Sequence, residues 1–192
     1  MYEKFGQFID GKWQASSNKE TYEVINPANE EVIGCASKAT PEDVDRALKS
    51  AEKGLEVWKK TSPWKRSSVI RKIADLIRAK QDVLAKWITI EVGKPFLEGK
   101  GEVGATADIF EWNSEETKRI YGQTVESRFE DTRIHVYYQP IGVVAAMSPW
   151  NFPLVLSGRK ISTALAAGCS VIIKPDVIAP GGVMELVDIC RE

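Results

Sequence analysis

The segment with the clearest chemical potential is Ser148-Pro149-Trp150-Asn151-Phe152-Pro153, which follows an apolar run over residues 141–146. The run predicts a short buried strand, and the two prolines predict a turn with fixed backbone angles directly after it. Asn151 would then lie at the carboxyl end of a strand, where α/β proteins bind ligands. Its amide could donate hydrogen bonds to a developing oxyanion without titrating near neutral pH. The alternative is that Asn151 only caps the helix that begins near Pro153.

Two basic side chains are predicted near this turn. Lys174 ends a second apolar run, residues 170–174, and at the end of a parallel strand it could bind the ribose or phosphate of a nucleotide. Otherwise it marks the point where the strand reaches solvent. Arg159 lies about two turns along the helix after Asn151. It either pairs with an anionic substrate or lies on a solvated helix face beside Lys160.

A G-x-G-x-x-G pattern occupies residues 99–104, but its context is wrong for dinucleotide binding. That fingerprint needs a buried strand directly before it, so that the pyrophosphate meets a helix N-terminus. Residues 94–98 read Lys-Pro-Phe-Leu-Glu and predict no such strand. We therefore expect the pattern to lie within a helical segment.

The three cysteines, Cys35, Cys169 and Cys190, are not predicted to be nucleophiles. None has a neighbouring base that would favour the thiolate, and we expect each to be a buried, small apolar side chain. Their odd number and wide spacing predict reduced thiols in a cytoplasmic protein. With His135 as the only histidine, no metal site is expected.

Composition limits the classes of partner. The 192 residues are 43% hydrophobic and 28% charged, with a net charge of −1. Because basic residues form no stripe, we expect no nucleic-acid partner. Because no apolar run approaches membrane-spanning length and the N-terminus lacks the layout of a secretory signal, we expect no membrane partner.

The pattern along the chain divides it into three parts. Residues 1–123 predict two hairpins, the first with a turn at Asp10-Gly11, and four helical segments. Thr40 is the predicted cap of the first helix, and Gly93 suits the end of the third. The second helix, from Pro63, has an apolar face that includes Val69 and Leu76. Residues 124–139 predict an exposed hairpin. Residues 140–192 predict strand, helix, strand and helix, with continuously apolar strands that are typical of a parallel sheet covered on both faces.

The predicted fold is therefore α/β, the start of a doubly wound, Rossmann-like parallel sheet. Two parallel strands are too few for such a sheet, and the last helix, over residues 183–190, has no stop signal. We therefore expect the chain to be the first part of a larger protein, with the catalytic domain absent.

Several segments together resemble the N-terminal part of the NAD(P)-dependent aldehyde dehydrogenase family. They occur in the family's order at residues 8–13, 26–28, 91–95, 139–143, 148–153 and 164–175. The likeness covers essentially the whole chain but less than half of a usual family member. It implies an aldehyde as the small-molecule substrate, its oxidation to a carboxylic acid, and NAD or NADP as cofactor.

The resemblance also implies roles for individual residues. Asn151 becomes the oxyanion-hole amide for the intermediate formed when the family's catalytic cysteine attacks the aldehyde. Lys174 contacts the adenosine ribose of the cofactor, with Ser148, Trp150 and Val177 in the same cofactor site. The hairpin at 124–139 becomes an oligomerisation element, so that a homo-oligomer, either dimer or tetramer, is expected. The family's catalytic cysteine and glutamate correspond to positions after residue 192.

One position departs from the family's pattern. Three residues after Lys174, many NAD-preferring members carry a glutamate that binds the ribose hydroxyls, and this chain has Val177. The change removes a ribose acceptor and a charge that would repel a 2′-phosphate. NAD and NADP therefore both remain open.

The substrate is suggested by residues 111–122 together with Arg159, which are most similar to the succinate-semialdehyde dehydrogenase branch. An arginine at the matching position there helps to hold the substrate carboxylate, although branches that act on aromatic aldehydes also carry one. We predict the N-terminal portion of an aldehyde dehydrogenase, with a short semialdehyde such as succinate semialdehyde as a candidate substrate, and expect the 192-residue chain alone to be inactive. The alternative is a truncated, inactive paralogue that serves as a nucleotide-binding or assembly module.

Overall fold

Two small antiparallel hairpins begin the structure, a computed structural model that describes residues 2–192. Strand β1 (Gln7–Ile9) pairs with β2 (Lys12–Gln14), and β3 (Thr21–Ile25) pairs with β4 (Val32–Ser37). Asp10 and Gly11 form the turn between β1 and β2 with φ angles of 51° and 74°. Positive φ at both central residues is what a tight hairpin turn requires, so the predicted Asp-Gly turn is confirmed.

Four helices follow, close to the predicted positions. They are α1 (Pro41–Trp58), α2 (Pro63–Ala79), α3 (Gln81–Val92) and α4 (Phe96–Glu116), and a short 3₁₀ turn (Thr117–Arg119) extends the last of these. Thr40 and Asp43 form a capping box at the start of α1, and Gly93, with φ of 75°, closes α3. The G-x-G-x-x-G pattern lies wholly inside α4, as expected.

The main core lies between α2, α3, α4 and the two later helices. Its fully buried side chains include Ile70, Ile77, Leu84, Ile88, Phe110, Leu154 and Leu186. The predicted apolar face of α2 was too wide: Val69 is 38% exposed and Leu76 only packs at the edge of the core. Ile70, Ile73, Ala74 and Ile77 are the buried stripe, because this spacing keeps four side chains on one narrow face of a helix.

The second half of the chain contains the exposed hairpin and the parallel unit. Strands β5 (Gln123–Glu126) and β6 (Arg133–Val136) pair with each other, and all of their residues are exposed. Strand β7 (Val143–Met147), helix α5 (Pro153–Ala166), strand β8 (Ser170–Lys174) and helix α6 (Gly181–Arg191) then form the predicted strand–helix–strand–helix order, with β7 and β8 parallel.

Two predictions about β7 were wrong. The strand begins at Val143, not at residue 141, because Gly142 has a φ of 126° and Ile141 is 89% exposed. Continuous apolarity over residues 141–146 predicted a strand covered on both faces, yet Ala145 is exposed. The reason is that β7 pairs only with β8 among residues 2–192, so that its other edge and part of its surface have no cover.

The cysteines differ in environment. Cys169 is buried, and burial raises the pKa of Cys190 to about 12. Cys35, which was also predicted to be buried, is exposed. It alternates in β4 with the buried Ala36, so that the two side chains point to opposite faces of a two-stranded hairpin.

Helix α6 begins without a side-chain cap of its own, and a buried glutamate from α3 takes that role. Glu91 accepts hydrogen bonds from the Gly181 amide at 2.7 Å and from the Gly182 amide at 3.1 Å, and the Tyr2 hydroxyl donates to the same carboxylate. A Cβ at Gly181 would lie 2.3 Å from the Trp87 ring. Glycine is therefore required where the start of α6 approaches α3.

Burial raises the pKa of Glu91 from 4.5 to about 7, although its three hydrogen bonds favour the ionised form. The folded chain binds a proton at Glu91 more tightly than the unfolded chain does. Protonated Glu91 therefore contributes to the unfolding free energy, and this contribution is fully present below about pH 4.5. It is lost as the pH rises through about 7. A rise of this size corresponds to about 3 kcal/mol of unfolding free energy.

We expect Glu91→Gln to remove this pH dependence. Glutamine keeps the shape of the side chain and an acceptor oxygen for the α6 amides, but it does not titrate. Urea unfolding from about pH 5 to about pH 8 should show the unfolding free energy of the unmodified chain falling relative to that of the variant. Parallel curves for the two proteins would contradict the assignment, since all other titrating groups are shared.

Candidate active site

The register of the parallel strands brings the two predicted motifs to one edge of the sheet. Met147, the last residue of β7, pairs with Lys174, the last residue of β8. The Ser148 amide donates to the Lys174 carbonyl at 3.4 Å, and the Ser148 hydroxyl lies 2.7 Å from that of Ser157 in α5. The turn that carries Asn151 and the end of β8 therefore leave the sheet side by side, as the sequence predicted.

Asn151 lies in this turn with its side chain exposed. The helix-cap alternative is wrong, because α5 starts at Pro153 after Phe152 and its N-terminus has no side-chain cap from the adjoining residues. Within residues 2–192 the Asn151 amide side chain makes no hydrogen bond, whereas its backbone carbonyl accepts one. The amide is therefore available to a ligand, and the backbone sets the direction in which its side chain begins.

The N-terminus of α5 is capped from a different helix. Glu102, in α4, accepts hydrogen bonds from the Leu154 amide at 3.0 Å and from the Val155 amide at 3.3 Å through one carboxylate oxygen. Its side chain is only 1% exposed. A carboxylate at this point satisfies first-turn N–H groups and complements the positive end of the helix.

The second carboxylate oxygen of Glu102 contacts Lys94. The Lys94 ammonium lies 2.5 Å from it, and the Lys94 side chain is 12% exposed. The same ammonium donates to the Asn151 carbonyl at 3.2 Å and lies 3.7 Å from the centre of the Phe152 ring. The Lys94–Glu102 pair thus contacts the backbone of Asn151 and of the residues that follow it into α5.

Local sequence explains how the pair reaches the turn. The left-handed Gly93 ends α3 and directs Lys94 into the short connection before α4. Helices α4 and α5 then approach closely at Gly158, where a Cβ would lie 2.7 Å from Thr106 and 3.2 Å from Phe110. Glu102 is one turn before Thr106 on the same buried face, so the close approach carries its carboxylate to the start of α5.

Neither Lys94 nor Glu102 was identified as a site residue from the sequence. Glu102 lies inside the G-x-G-x-x-G pattern that was set aside. A signal was present, because Glu102 shares the helical spacing of Val103, Thr106 and Phe110, which are all buried. An acidic residue on the core stripe of a helix needs a buried partner.

The predicted cofactor residues surround the same edge of the sheet. Lys174 is exposed, and within residues 2–192 its ammonium donates only to the adjacent Pro175 carbonyl, at 3.3 Å. Trp150 and Val177 are also exposed, at 47% and 53%. The only carboxylate between residues 175 and 180, Asp176, accepts a hydrogen bond from the Ile178 amide. Lys174, Trp150 and Val177 are thus accessible at one edge of the sheet.

Arg159 lies elsewhere on α5. It is exposed and lines a groove of about 460 Å³ together with Ile141, Ala145 and Thr163. Asn151 does not line this groove. Within residues 2–192 the two predicted reaction-site residues therefore do not contact one cavity.

No helix within residues 2–192 has both the length and the apolarity needed to cross a bilayer. The same residues contain no cluster of three or more histidine, cysteine or acidic side chains that could hold a metal ion.

Known proteins with similar sequences include two semialdehyde dehydrogenases. Glutarate-semialdehyde dehydrogenase from Pseudomonas aeruginosa is 42% identical over 184 residues, which are 96% of this chain and 38% of that protein. Succinate semialdehyde dehydrogenase from Acinetobacter baylyi is 43% identical over 181 residues, which are 94% of this chain and 38% of that protein. The chain thus spans well under half the length of these relatives.

A solved structure is similar to this chain over nearly all of its residues. The crystal structure of an Escherichia coli NADP-dependent enzyme superposes with a TM-score of 0.95 at 38% identity, over 99% of this chain and 40% of that one. The predicted α/β fold is confirmed by this match. Residues 13–192 also match the sequence model of the aldehyde dehydrogenase family. The chain therefore belongs to the aldehyde dehydrogenase family.

Proposed function

We propose that this chain forms the N-terminal part of an NAD(P)-dependent enzyme that oxidises a short semialdehyde to a dicarboxylic acid. The observation that supports it most is the register of β7 and β8, which aligns Met147 with Lys174. This register places the Asn151 turn next to Lys174, the residue proposed to bind the nucleotide. The two similar enzymes from Pseudomonas and Acinetobacter are named for glutarate and succinate semialdehydes, which carry a carboxylate opposite the aldehyde.

In this proposal Asn151 supplies a hydrogen-bond donor to the aldehyde oxygen. The oxygen gains negative charge when a nucleophile, a cysteine outside this chain, attacks the carbonyl carbon. A neutral amide stabilises that charge over a wide pH range, and a donor held in place before the reaction needs no reorganisation. The turn acts as the rigid mount for this donor, since Pro149 and Pro153 restrict its backbone.

Lys174 binds and orients the nucleotide in this proposal. Its ammonium can donate to ribose hydroxyls at the carboxyl edge of the sheet, next to the turn. The cofactor, when bound, supplies the hydride acceptor. Val177 presents no charge to the ribose, so that a 2′-phosphate meets no repulsion from this position.

Arg159 is proposed to recognise the far carboxylate of the semialdehyde. Its side chain is exposed on α5 about two turns after Asn151, and a pocket shared with Asn151 would need further residues to complete it, because Asn151 does not line the groove beside Arg159. A charge-assisted hydrogen bond there contributes about 1.5–3 kcal/mol. Recognition of the acidic end and stabilisation of the oxyanion are thus assigned to different residues of one segment.

These two roles predict different substrate profiles. In the full-length enzyme, Asn151→Ala should lower turnover by roughly 10²–10³ with both succinate semialdehyde and a neutral aldehyde of similar length, because the oxyanion forms in either case. Arg159→Ala should lower kcat/KM by roughly tenfold to a hundredfold for the acidic substrate only. Equal losses for both substrates in Arg159→Ala, or none, would contradict the assignment of an acidic substrate.

Cofactor choice offers a second prediction. Val177→Glu should lower kcat/KM with NADP by at least about tenfold relative to NAD, because the new carboxylate repels the 2′-phosphate and accepts from ribose hydroxyls. Val177→Gln is the matched control, with a similar size and no charge, and should retain the use of NADP. Steady-state kinetics with both cofactors would measure the ratio, and an unchanged ratio in Val177→Glu would remove Val177 from the cofactor site.

A third prediction concerns the 192-residue chain by itself. We expect it to produce no NAD(P)H from an aldehyde, because the family's nucleophile and general base correspond to later positions. Absorbance assays on the purified chain and on the full-length protein would test this. NAD(P)H formation by the chain alone would contradict it. A reading frame that closes after Glu192 would contradict the enzyme proposal and favour the nucleotide-binding or assembly module.

A further inference from the structure

The backbone around Asn151 is held at two points by one buried ion pair. Lys94 binds the Asn151 carbonyl, and Glu102 binds the amides of residues three and four positions further along. No hydrogen bond within residues 2–192 holds the Asn151 side chain itself, so the backbone fixes the direction of its Cα–Cβ bond. Both restraints on that backbone depend on charges buried beneath it.

We propose that Lys94 and Glu102 are positioning residues that fix the Asn151 amide for the reaction. The inference rests on the proposed oxyanion role of Asn151 and extends it to two residues that do not contact the substrate. The cap on α5 fixes where the turn ends, and the bond from Lys94 to the Asn151 carbonyl fixes the peptide plane that follows Asn151. Together they determine the direction in which the side chain leaves the backbone.

A comparison within the molecule separates this role from simple capping. Glu91 caps α6 in the same manner, with a buried carboxylate on two first-turn amides. Its remaining hydrogen-bond partner is the hydroxyl of Tyr2, and within residues 2–192 no lysine forms an ion pair with it. A glutamate can therefore cap a helix without a cation, and of these two capping carboxylates only Glu102, at the helix that follows Asn151, is paired with a lysine.

The cost of burial supports the same conclusion. Removing two charges from water is expensive, and apolar replacements of buried ion pairs are often as stable or more stable. Lys94 directs its remaining contacts at the turn, through the Asn151 carbonyl and the Phe152 ring. These contacts constrain the turn that carries the amide, which is what a positioning role requires.

Lys94→Met in the full-length enzyme tests the proposal. Methionine keeps the apolar stem and removes the charge. We expect kcat to fall roughly tenfold to a hundredfold, because misplacement of a reacting group by about 1 Å costs this much. The KM for the cofactor should stay unchanged, and the loss should be equal for acidic and neutral aldehydes, unlike that of Arg159→Ala.

A double-mutant cycle then separates positioning from a general structural effect. If Lys94 acts through Asn151, adding Lys94→Met to Asn151→Ala should lower kcat by less than about threefold, because the group that it positions is already gone. An equal factor in both backgrounds would overturn the proposal, as would full kcat in Lys94→Met while Asn151→Ala is severely impaired. Unchanged kcat in Asn151→Ala would instead contradict the proposed function itself.

Two further variants complete the design. Glu102→Gln keeps an acceptor for the α5 amides but loses the ion pair, and it should show the same kcat loss and the same non-additivity. It replaces Lys94→Met in the cycle if that protein does not fold. Glu91→Gln is the matched control for a perturbed buried cap, and its kcat should remain within about twofold of the unmodified enzyme. A kcat loss in Glu91→Gln as large as that in Glu102→Gln would overturn the proposal.

Discussion

The first-turn amides of α5 and α6 determine much of this structure, because both helices begin without a cap from their own sequence. Each helix follows a parallel strand, and each obtains its acceptor from a glutamate on α3 or α4. A buried N–H without a partner is costly, so α3 and α4 must dock against the two strand–helix units in one arrangement. Glu91 and Glu102 thereby fix where both helices begin.

Features that depend on neighbouring residues could be predicted from the sequence, whereas contacts between distant residues could not. Helix starts, the Asp10-Gly11 turn, the Gly93 stop and the strand–helix–strand order are encoded by neighbouring residues, and these features were confirmed. The shared sheet edge of Asn151 and Lys174 followed from topology. The partners of Glu102 were not predictable in this way, because Leu154 and Val155 are more than fifty positions away in the chain. Periodicity marks a buried face but does not identify the residue it meets.

The errors share one physical origin. Cys35, Val69 and Ala145 were assigned to covered positions from local apolar patterns, and each is exposed. An apolar pattern reports that a side chain is suited to burial, whereas exposure depends on which other elements are present to cover it. Strand β7 pairs with one strand among residues 2–192, and a two-stranded hairpin covers only one face of β4.

The short sequence separation of Lys94 and Glu102 has a consequence for folding. The two residues are eight positions apart, Lys94 in the connection after α3 and Glu102 in α4, so they can meet as soon as these two helices form, on the order of microseconds. Pairing of β7 with β8 must close a much longer loop and is intrinsically slower. We therefore expect the Glu102 carboxylate to be in place before the two strands pair, so that α3 and α4 serve as the template on which the parallel unit assembles.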